Sequence, residues 1–408
     1  MPRIWLTVLI VAVAYVGIAI GRVPGLKLNR TTLALVGVGL LLVTGQIAFE
    51  QLPSMVDVDT IVLLFSMMVI NANLRFASFF EWVASALLRL THSPRALLGV
   101  EIVAVGLLSA LFLNDTICLM FTPLLIDITR LAKRRPTPYL IALATAANIG
   151  STATITGNPQ NMIIGVASGI PYLSFLLSLA PVALLGLGVV WLMLVWLYRD
   201  EFAPGEWDSA SMSAPPIDRV LLVKCLVVVG AMLVAFLAGA PVALSAFVAA
   251  CALFVTRRVP AEQVLISCNW SLLAFFCGLF VLSGALEANG VTARLFSFLR
   301  IAGSAEVWGL TGVTTALSNL VSNVPAVLLL KPIVAELDNP VAGWLTLAMA
   351  STLAGNLTLL GSVANLIVAE SAASQDVSLS FAEYTRAGLL ITVLSLGLGG
   401  LWLQLFVW

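Results

Sequence analysis

Long apolar runs alternate with short polar stretches along the whole chain. Eight runs approach the ~20 residues that a helix needs to span a bilayer; they cover residues 4–21, 31–48, 59–75, 173–198, 217–239, 241–256, 268–286 and 384–407. Gly, Pro or polar clusters interrupt four further apolar stretches, at residues 95–132, 137–170, 304–335 and 341–373. The pattern predicts an all-α polytopic membrane protein with about ten spans. These are the eight uninterrupted runs together with 137–170 and 341–373, each of which crosses as a broken helix.

The composition supports a lipid environment and argues against several functional classes. Hydrophobic residues make up 61% of the chain and charged residues 10%, against about 25% charged in soluble proteins. A net charge of zero gives no electrostatic footprint for nucleic acid. The chain has one histidine and five cysteines without a CxxC pair, which argues against a bound metal or cofactor. It also has no Walker motif and no nucleophile–base pair, which argues against an enzyme. We expect a multi-pass protein of the plasma (inner) membrane.

The second half of the chain repeats features of the first half in the same order. A shift of 209 residues pairs Asn114 with Asn323 and Pro123 with Pro332. A shift of 204 residues pairs three further positions, Thr154 with Thr358, Gly157 with Gly361 and Asn161 with Asn365. These matches predict an internal duplication, with repeats at residues 1–205 and 206–408. The polar stretch 198–218 between them is predicted to be an exposed linker.

The basic residues predict how each repeat lies in the membrane. Cytoplasmic loops are enriched in Lys and Arg, so Arg22, Lys27 and Arg30 place the first loop inside. Basic residues at both ends of 95–132 put those ends on the same side, which makes this stretch a re-entrant helical hairpin. Stretch 304–335 is its counterpart. An odd number of crossings in the first half inverts the second and leaves both termini outside.

The interrupted stretches carry the candidate chemistry. Unpaired backbone at membrane depth survives only where it is buried in protein or lines a cavity. Residues 150–159 and 355–362 combine Gly with Ser, Thr and Asn, and the first run ends in Pro159. Unwound segments of this kind offer carbonyls and hydroxyls to a cation and helix N-termini to an anion. The candidate binding residues here are Ser151, Thr152, Thr154, Gly157, Asn158, Asn161, Gly355, Asn356, Thr358, Gly361, Ser362 and Asn365.

The hairpin tips complete the predicted site. They contribute Asn114, Asp115 and Thr116 in the first half and Ser322 and Asn323 in the second. An ionisable residue inside a membrane segment indicates function, so Asp115 is predicted to carry a proton or sodium ion, with helix capping as an alternative role. The second tip has no acidic residue, so the coupling ion should bind at the first tip and not at the second.

Two further acids lie in the arms of the first hairpin. Glu101 and Asp127 are nearer its cytoplasmic ends than its tip. Long side chains near a helix end can reach the interface, so we expect these two to snorkel or to pair with Arg95 or Arg130.

These motifs resemble those of the ion transporter superfamily, in particular its arsenite permease and NhaD-type antiporter branch. The resemblance rests on Asn114–Thr116 with the LMFTP that follows, on GNPQN at 157–161 and on GNLTLLGSVAN at 355–365. It implies a secondary transporter in which hairpins and broken helices move like an elevator against a static, homodimeric scaffold. A soluble ATPase partner is an open possibility.

Three functions are compatible with this resemblance. The first is proton-coupled efflux of arsenite, antimonite or a related small oxyanion through Asp115. The alternatives are sodium/proton antiport and sodium-coupled symport of a dicarboxylate, citrate or sulfate. No Lys or Arg falls in the tips or the broken segments, so only helix N-termini would attract an anion. This favours a neutral hydroxide or a cation over a dianion.

Overall fold

The computed structural model describes residues 2–20, 28–203, 216–255, 257–291 and 307–408, and these residues contain α-helices and no β-strand. In chain order the helices are α1 (Pro2–Ile20), α2 (Arg30–Val43), α3 (Leu52–Met55), α4 (Val58–Phe76), α5 (Phe79–Leu90), α6 (Pro94–Leu111), α7 (Asn114–Leu131), α8 (Pro136–Ser151), α9 (Pro159–Ser168), α10 (Tyr172–Leu197), α11 (Arg219–Leu237), α12 (Val242–Phe254), α13 (Ala261–Ile266), α14 (Trp270–Ala288), α15 (Val307–Val321), α16 (Asn323–Ala335), α17 (Pro340–Ala354), α18 (Val363–Ala373) and α19 (Phe381–Phe406).

Two helical hairpins form where the sequence predicts them. Helices α6 and α7 meet at Phe112 and Leu113, and α15 and α16 meet at Ser322. The first hairpin begins with Ser93, whose hydroxyl accepts from the backbone N–H of Ala96, followed by Pro94. The second turns through Ser322 at φ 79° and ψ 159°, a conformation that costs a non-glycine residue about 1–3 kcal/mol. Such strain at a tip is typical of functional sites.

Both predicted helix breaks are present. The first separates α8 from α9 at residues 152–158, and the second separates α17 from α18 at 355–362. Asn158 and Ser362 restart the helices, because each side chain accepts a hydrogen bond from the first turn that follows it. The break residues are buried inside the protein, except that Leu357 and Thr358 are partly exposed and Leu360 is exposed. The breaks therefore lie inside the protein rather than in an external loop.

The helix packing in the second half corresponds to that in the first. Hairpin arms α6 and α7 pack on α8, and arms α15 and α16 pack on α17. The second arm of each hairpin also contacts the restarted helix of the other half, α7 on α18 and α16 on α9. Around them, α2 packs on α14, α4 on α12 and α10 on α19. This correspondence supports the predicted duplication; its boundaries, inverted orientation and the homodimer stay predictions.

All eight predicted apolar runs form helices, which differ in length. Six helices in the described part of the chain are long and apolar enough to cross a membrane: α4, α6, α10, α11, α14 and α19. The predicted runs 4–21, 31–48 and 241–256 form shorter apolar helices, Ile4–Ala19, Arg30–Val43 and Val242–Phe254. Helix α2 ends early because Gly45 adopts a left-handed φ of 66°. The backbone N–H of Gln46 then donates to the carbonyl of Leu41 at 2.9 Å, which closes the helix.

The predicted exposed linker is wrong at its N-terminal end. Residues 198–203, called the base segment below, fold back onto the first hairpin, and Phe202 is buried. The Arg95 guanidinium donates from Nε to the carbonyl of Phe202 at 2.7 Å. The burial of the Phe202 ring against the hairpin outweighs the polar composition of the segment around it. Residues 204–215 of the predicted linker lie outside the described residues.

A glycine contact fixes the distance between α6 and α8. A Cβ atom at Gly150 would lie 2.2 Å from the carbonyl oxygen of Gly106, and backbone cannot move aside cheaply. Overpacking of a buried site typically costs about 1–3 kcal/mol. We expect Gly150→Ala to lower the thermal unfolding temperature of the purified protein in detergent.

Gly188→Ala is the matched control for this prediction. Gly188 lies inside α10, and apart from the backbone of its own helix no atom of the described residues would lie within 4 Å of a Cβ added there, so alanine should be neutral or stabilising by up to about 1 kcal/mol. Equal unfolding temperatures for the two variants would contradict the close approach of α6 and α8.

Candidate functional site

Both hairpin tips and both restarted helices meet at one cavity of about 50 Å³. The tips contribute Asn114 and Asp115 from the first hairpin and Ser322, Asn323 and Val324 from the second. The N-termini of α9 and α18 contribute Pro159, Gln160, Ser362 and Val363. The remaining wall comes from α1, α2 and α14, through Ile18, Arg30, Leu272, Phe275 and Phe276. Segments that are far apart in sequence therefore share one small space.

Two buried asparagines satisfy the backbone of the breaks. The amide of Asn161 donates to the carbonyls of Ser151 at 3.1 Å, Thr152 at 3.4 Å and Thr154 at 3.0 Å. In the second half, the amide of Asn365 donates to the carbonyls of Gly355 at 2.8 Å and Thr358 at 3.1 Å. Carbonyls at a helix end lack an intrahelical partner, and water cannot replace it in lipid. Asn161 and Asn365 therefore hold the unwound chain.

The restarted helices direct their N-termini at the cavity. Asn158 caps α9 by accepting from the backbone N–H of Asn161 at 2.9 Å, and its amide donates to the hydroxyl of Ser151 at 2.9 Å. Ser362 caps α18 by accepting from the backbone N–H of Ala364 at 3.2 Å. Each helix N-terminus carries a partial positive charge. Two such ends on one cavity favour a ligand with oxygen atoms.

Asn148 is the hub of this network, and it is not among the residues predicted from the sequence. Its side-chain oxygen accepts from the amide of Asn114 at 3.0 Å and from the hydroxyl of Ser362 at 3.1 Å. Its amide donates to the side-chain oxygens of Asn356 at 2.8 Å and Asn365 at 3.0 Å. One residue of the first half thus joins the first tip to the second break.

A signal for this hub was present in the sequence. Asn148 lies just before the interrupted run, in a stretch that otherwise reads as apolar helix. The 204-residue shift pairs it with Thr352, whose hydroxyl oxygen accepts from the amides of Asn158 and Gln160, both at 3.2 Å. Extending the repeat alignment upstream would have found both positions.

Most of the predicted break residues position the cavity instead of lining it. Gly157 allows close contact, because a Cβ there would lie 2.5 Å from the carbonyl oxygen of Ser151. Its own carbonyl accepts from the backbone N–H of Asn114 at 3.0 Å, and the hydroxyl of Thr154 donates to the carbonyl of Ala110. Thr116 accepts from the amide of Asn71 at 3.1 Å. The predicted residues that do not line the cavity are Thr116, Ser151, Thr152, Thr154, Gly157, Asn158, Asn161, Gly355, Asn356, Thr358, Gly361 and Asn365.

Asp115 lies in the first turn of α7 and is partly exposed to the cavity. It does not cap the helix, because the cap position is Leu113 and no side chain accepts a capping hydrogen bond there. The backbone N–H of Asp115 instead donates to the side-chain oxygen of Asn114 at 2.9 Å. Asp115 is therefore the carboxyl group that faces the cavity.

Arg30 corrects the charge argument drawn from the sequence. It is the first residue of α2 and lines the cavity. Its guanidinium interacts electrostatically with Asp115 and with Glu370 of α18. The sequence predicted that only helix N-termini would attract an anion, because Arg30 reads as part of a cytoplasmic loop. Tertiary packing of α2 against α14 brings it to the site.

Comparison with known proteins defines the class. Discontinuous helices that meet at one shared cavity are found in membrane transporters. The chain belongs to the citrate transporter family CitMHS, whose family model matches residues 15–354. This confirms the predicted membership of the ion transporter superfamily and an integral, polytopic membrane protein.

Several curated relatives align over most of the chain. The silicon efflux transporter LSI3 of Oryza sativa subsp. japonica is 34% identical, over 86% of each chain. The 46 kDa membrane protein of Mycobacterium leprae is 32% identical, over 93% of this chain and 94% of the relative. A putative transporter arsB of Dictyostelium discoideum is 24% identical, over 92% of this chain and 87% of the relative.

Two solved structures share the fold. The YdaH transporter of Alcanivorax borkumensis superposes with a TM-score of 0.62 at 15% identity, covering 99% of this chain and 98% of its own. MtrF of Neisseria gonorrhoeae gives a TM-score of 0.58 at 10% identity, covering 99% of this chain and 95% of its own.

Asn148→Ala should destabilise the protein strongly. The substitution removes four hydrogen bonds, and a buried polar group left unpaired costs about 1–3 kcal/mol. We expect a loss of at least about 3 kcal/mol, measured as a lower unfolding temperature in detergent.

Asn73→Ala is the control for this variant. Asn73 is fully buried, but within the described residues its amide bonds only to the carbonyl of Val69 in its own helix, at 2.9 Å. Asn73→Ala should lower the unfolding temperature clearly less than Asn148→Ala does. If the two variants unfold alike, Asn148 is not a hub.

Proposed function

We propose that this transporter exports a small, neutral oxyacid, such as arsenious, antimonous or silicic acid, in exchange for protons bound at Asp115. The observation that carries the proposal is the cavity between the two tips, which combines small volume, one carboxyl group, one guanidinium and unpaired amide oxygen. No single one of these features selects the substrate, but a compact hydroxide satisfies all four.

The volume of the cavity favours a small solute. A water needs about 10–15 Å³ of such space, so the cavity of about 50 Å³ has room for roughly four water-sized groups. A central atom that carries a few hydroxyl groups fits this space. Citrate, with a carbon chain and several carboxylates, exceeds it in this state of the protein.

The polar groups in the cavity wall favour a solute that both donates and accepts hydrogen bonds. The side-chain oxygen of Asn323 is buried and has no hydrogen-bond partner among the described residues. An O–H group of an oxyacid would donate to it, while the N-termini of α9 and α18 donate to the solute's oxygen atoms. A sodium ion would use the acceptors alone and leave the two helix N-termini opposed to its charge.

The pairing of Asp115 with Arg30 supplies a coupling mechanism. When Asp115 is ionised, its charge and that of Arg30 compensate each other, and the cavity accepts a neutral solute. When Asp115 binds a proton, Arg30 keeps its interaction with Glu370 but loses this partner, and the net charge at the cavity rises by one. Because the two charge states have different electrostatic energies, proton binding changes the equilibrium between conformations.

The relatives support both the class of solute and the direction. One relative is named a silicon efflux transporter, and a more distant one is named arsB. Silicic and arsenious acid are both small neutral hydroxides near pH 7, so one cavity chemistry would serve either solute. Inner-membrane location and elevator-like movement of the hairpins are parts of the same proposal.

A carboxylate transporter is the second candidate. The family name, citrate transporter, and the presence of Arg30 at the cavity favour an anion. Proton- or sodium-coupled uptake of a carboxylate would then use Arg30 and the two helix N-termini as its binding groups, in a state with a larger cavity.

Asp115→Asn should abolish proton-coupled transport in proteoliposomes and leave the fold intact, because Asn is nearly isosteric but cannot bind a proton. The measurement is solute flux under an imposed proton gradient. Asp127→Asn is the matched control, since Asp127 is an exposed carboxyl in the same helix α7 and should keep full flux. Full coupled flux in Asp115→Asn would reject the coupling role.

A flux panel decides between the candidate substrates. Arsenite, antimonite, silicic acid, sodium, citrate, succinate and sulfate are tested in proteoliposomes under proton and sodium gradients. We expect proton-driven movement of arsenite, antimonite or silicic acid and none of the carboxylates. Citrate or succinate flux without oxyacid flux would favour the second candidate, and sodium flux alone would favour an antiporter.

A further inference from the structure

Glu101 is a buried acid that the proposed cycle does not use. It lies in α6, about three helical turns from the first hairpin tip, and it is fully buried. Neither of its carboxyl oxygens has a hydrogen-bond partner within the described part of the chain. The predicted pairing with Arg95 is wrong, because Arg95 bonds to the carbonyl of Phe202. An isolated buried carboxylate is costly, so burial without a partner favours the protonated form of such a group.

Tyr139 is a titratable neighbour of Glu101 on the helices that surround it. Helices α5, α7, α8 and α10 pack against α6, and Tyr139 of α8 lies within electrostatic range of Glu101. Glu101 makes no hydrogen bond to the titratable or charged side chains on the other three helices. These are Glu81 and Arg89 on α5, Asp115, Cys118, Asp127 and Arg130 on α7, and Tyr172 on α10.

Tyr139 connects Glu101 to the base segment. The hydroxyl of Tyr139 is buried and has no hydrogen-bond partner in the described ranges, and its ring packs on Phe202 with 5.6 Å between centroids. Glu201 in the base segment also lies within electrostatic range of Tyr139. Arg134 holds this segment by donating to the carbonyl of Glu201 at 3.4 Å.

Glu201 is the partly exposed end of this series. Burial raises the pKa of the Glu201 carboxyl, and a backbone hydrogen bond from Arg135 and the charges of Arg134 and Arg135 oppose that rise. One of its carboxyl oxygens is buried and finds no hydrogen-bond partner among the residues described. The Glu201 carboxyl is therefore reached by solvent on one side and faces the protein interior on the other, which suits it to pass protons from water to the interior.

We propose that Glu101 is a second proton-binding site of the transporter, reached from the base segment through Glu201 and Tyr139. A proton from water binds the Glu201 carboxylate. These three groups are not hydrogen-bonded to one another in this state, so the transfer needs their side chains to move into contact: Glu201 then gives a proton to the oxygen of Tyr139 as the Tyr139 O–H gives its own proton to the Glu101 carboxylate. The net change is one proton bound at Glu101, with no redox step. A role of Glu101 in transport rests on the proton coupling proposed above. Proton binding at Glu101 itself does not rest on it.

Infrared spectroscopy tests this site without a transport substrate. The full-length protein in lipid is titrated from acidic to alkaline pH, and the carbonyl stretch of protonated carboxylic acids is followed. We expect Glu101→Gln to lose one such band of the wild type, while Asp127→Asn and Asp115→Asn retain that band. Gln reproduces the size of the neutral acid, so the variant should fold. A Glu101→Gln spectrum that matches wild type at every pH would overturn the proposal.

The route and the use in transport have separate readouts. Tyr139→Phe keeps the ring that packs on Phe202 but removes the hydroxyl, so the Glu101 band should remain and its exchange in heavy water should slow. Unchanged exchange would overturn the route. In proteoliposomes, Glu101→Gln should lower the number of protons moved per solute. If no solute is transported by wild type, the proposed function fails while the infrared band still decides the proton site.

Discussion

Hydrogen bonding of the main chain inside a bilayer is the constraint on which this structure depends. Lipid offers no partner to a peptide group, so a helix can break at that depth only if side chains replace the missing bonds. Asn161 and Asn365 do this for the two breaks, each through its amide. The freed helix N-termini and the hairpin tips then surround a cavity that a continuous helix could not form.

The local features of the fold could be predicted from the sequence. The run from Gly150 to Pro159 and its counterpart at 355–362 carry their helix-breaking chemistry in their own residues, and both hairpins follow from apolar arms around a polar turn. The breaks and hairpins are determined by residues close together in the sequence, and the internal repeat gave a second, independent indication of each. The sequence also identified Asp115, because a charge in an apolar segment stands out.

The features that were missed depend on packing between distant segments. Arg30 reaches the cavity only because α2 packs on α14, and the positive-inside rule cannot distinguish such a residue from a loop arginine. Asn148 looks like a tolerated polar residue in a helix until its four partners are brought around it. Glu101 was expected near the membrane surface, but the base segment, with Phe202, covers that end of the hairpin.

A nearly symmetric frame thus carries asymmetric chemistry. The 209-residue shift pairs Asp115 with Val324, and both line the cavity. The first half supplies the ionisable groups of Asp115 and Arg30, while the second supplies the amide oxygen of Asn323 and an apolar wall. The proposed coupling through Asp115 therefore needs no acid at the second tip.

Cysteine accessibility tests the central claim most directly, namely that the tips and breaks enclose a wet cavity that takes the transported solute. Val324→Cys and Val363→Cys, both lining the cavity, are made in a chain whose five cysteines are replaced, and sealed vesicles are treated with a membrane-impermeant thiol reagent. We expect labelling of both positions from one face of the membrane and slower labelling when the solute is present. Positions that resist the reagent from both faces, or that react at a rate no solute changes, would contradict it.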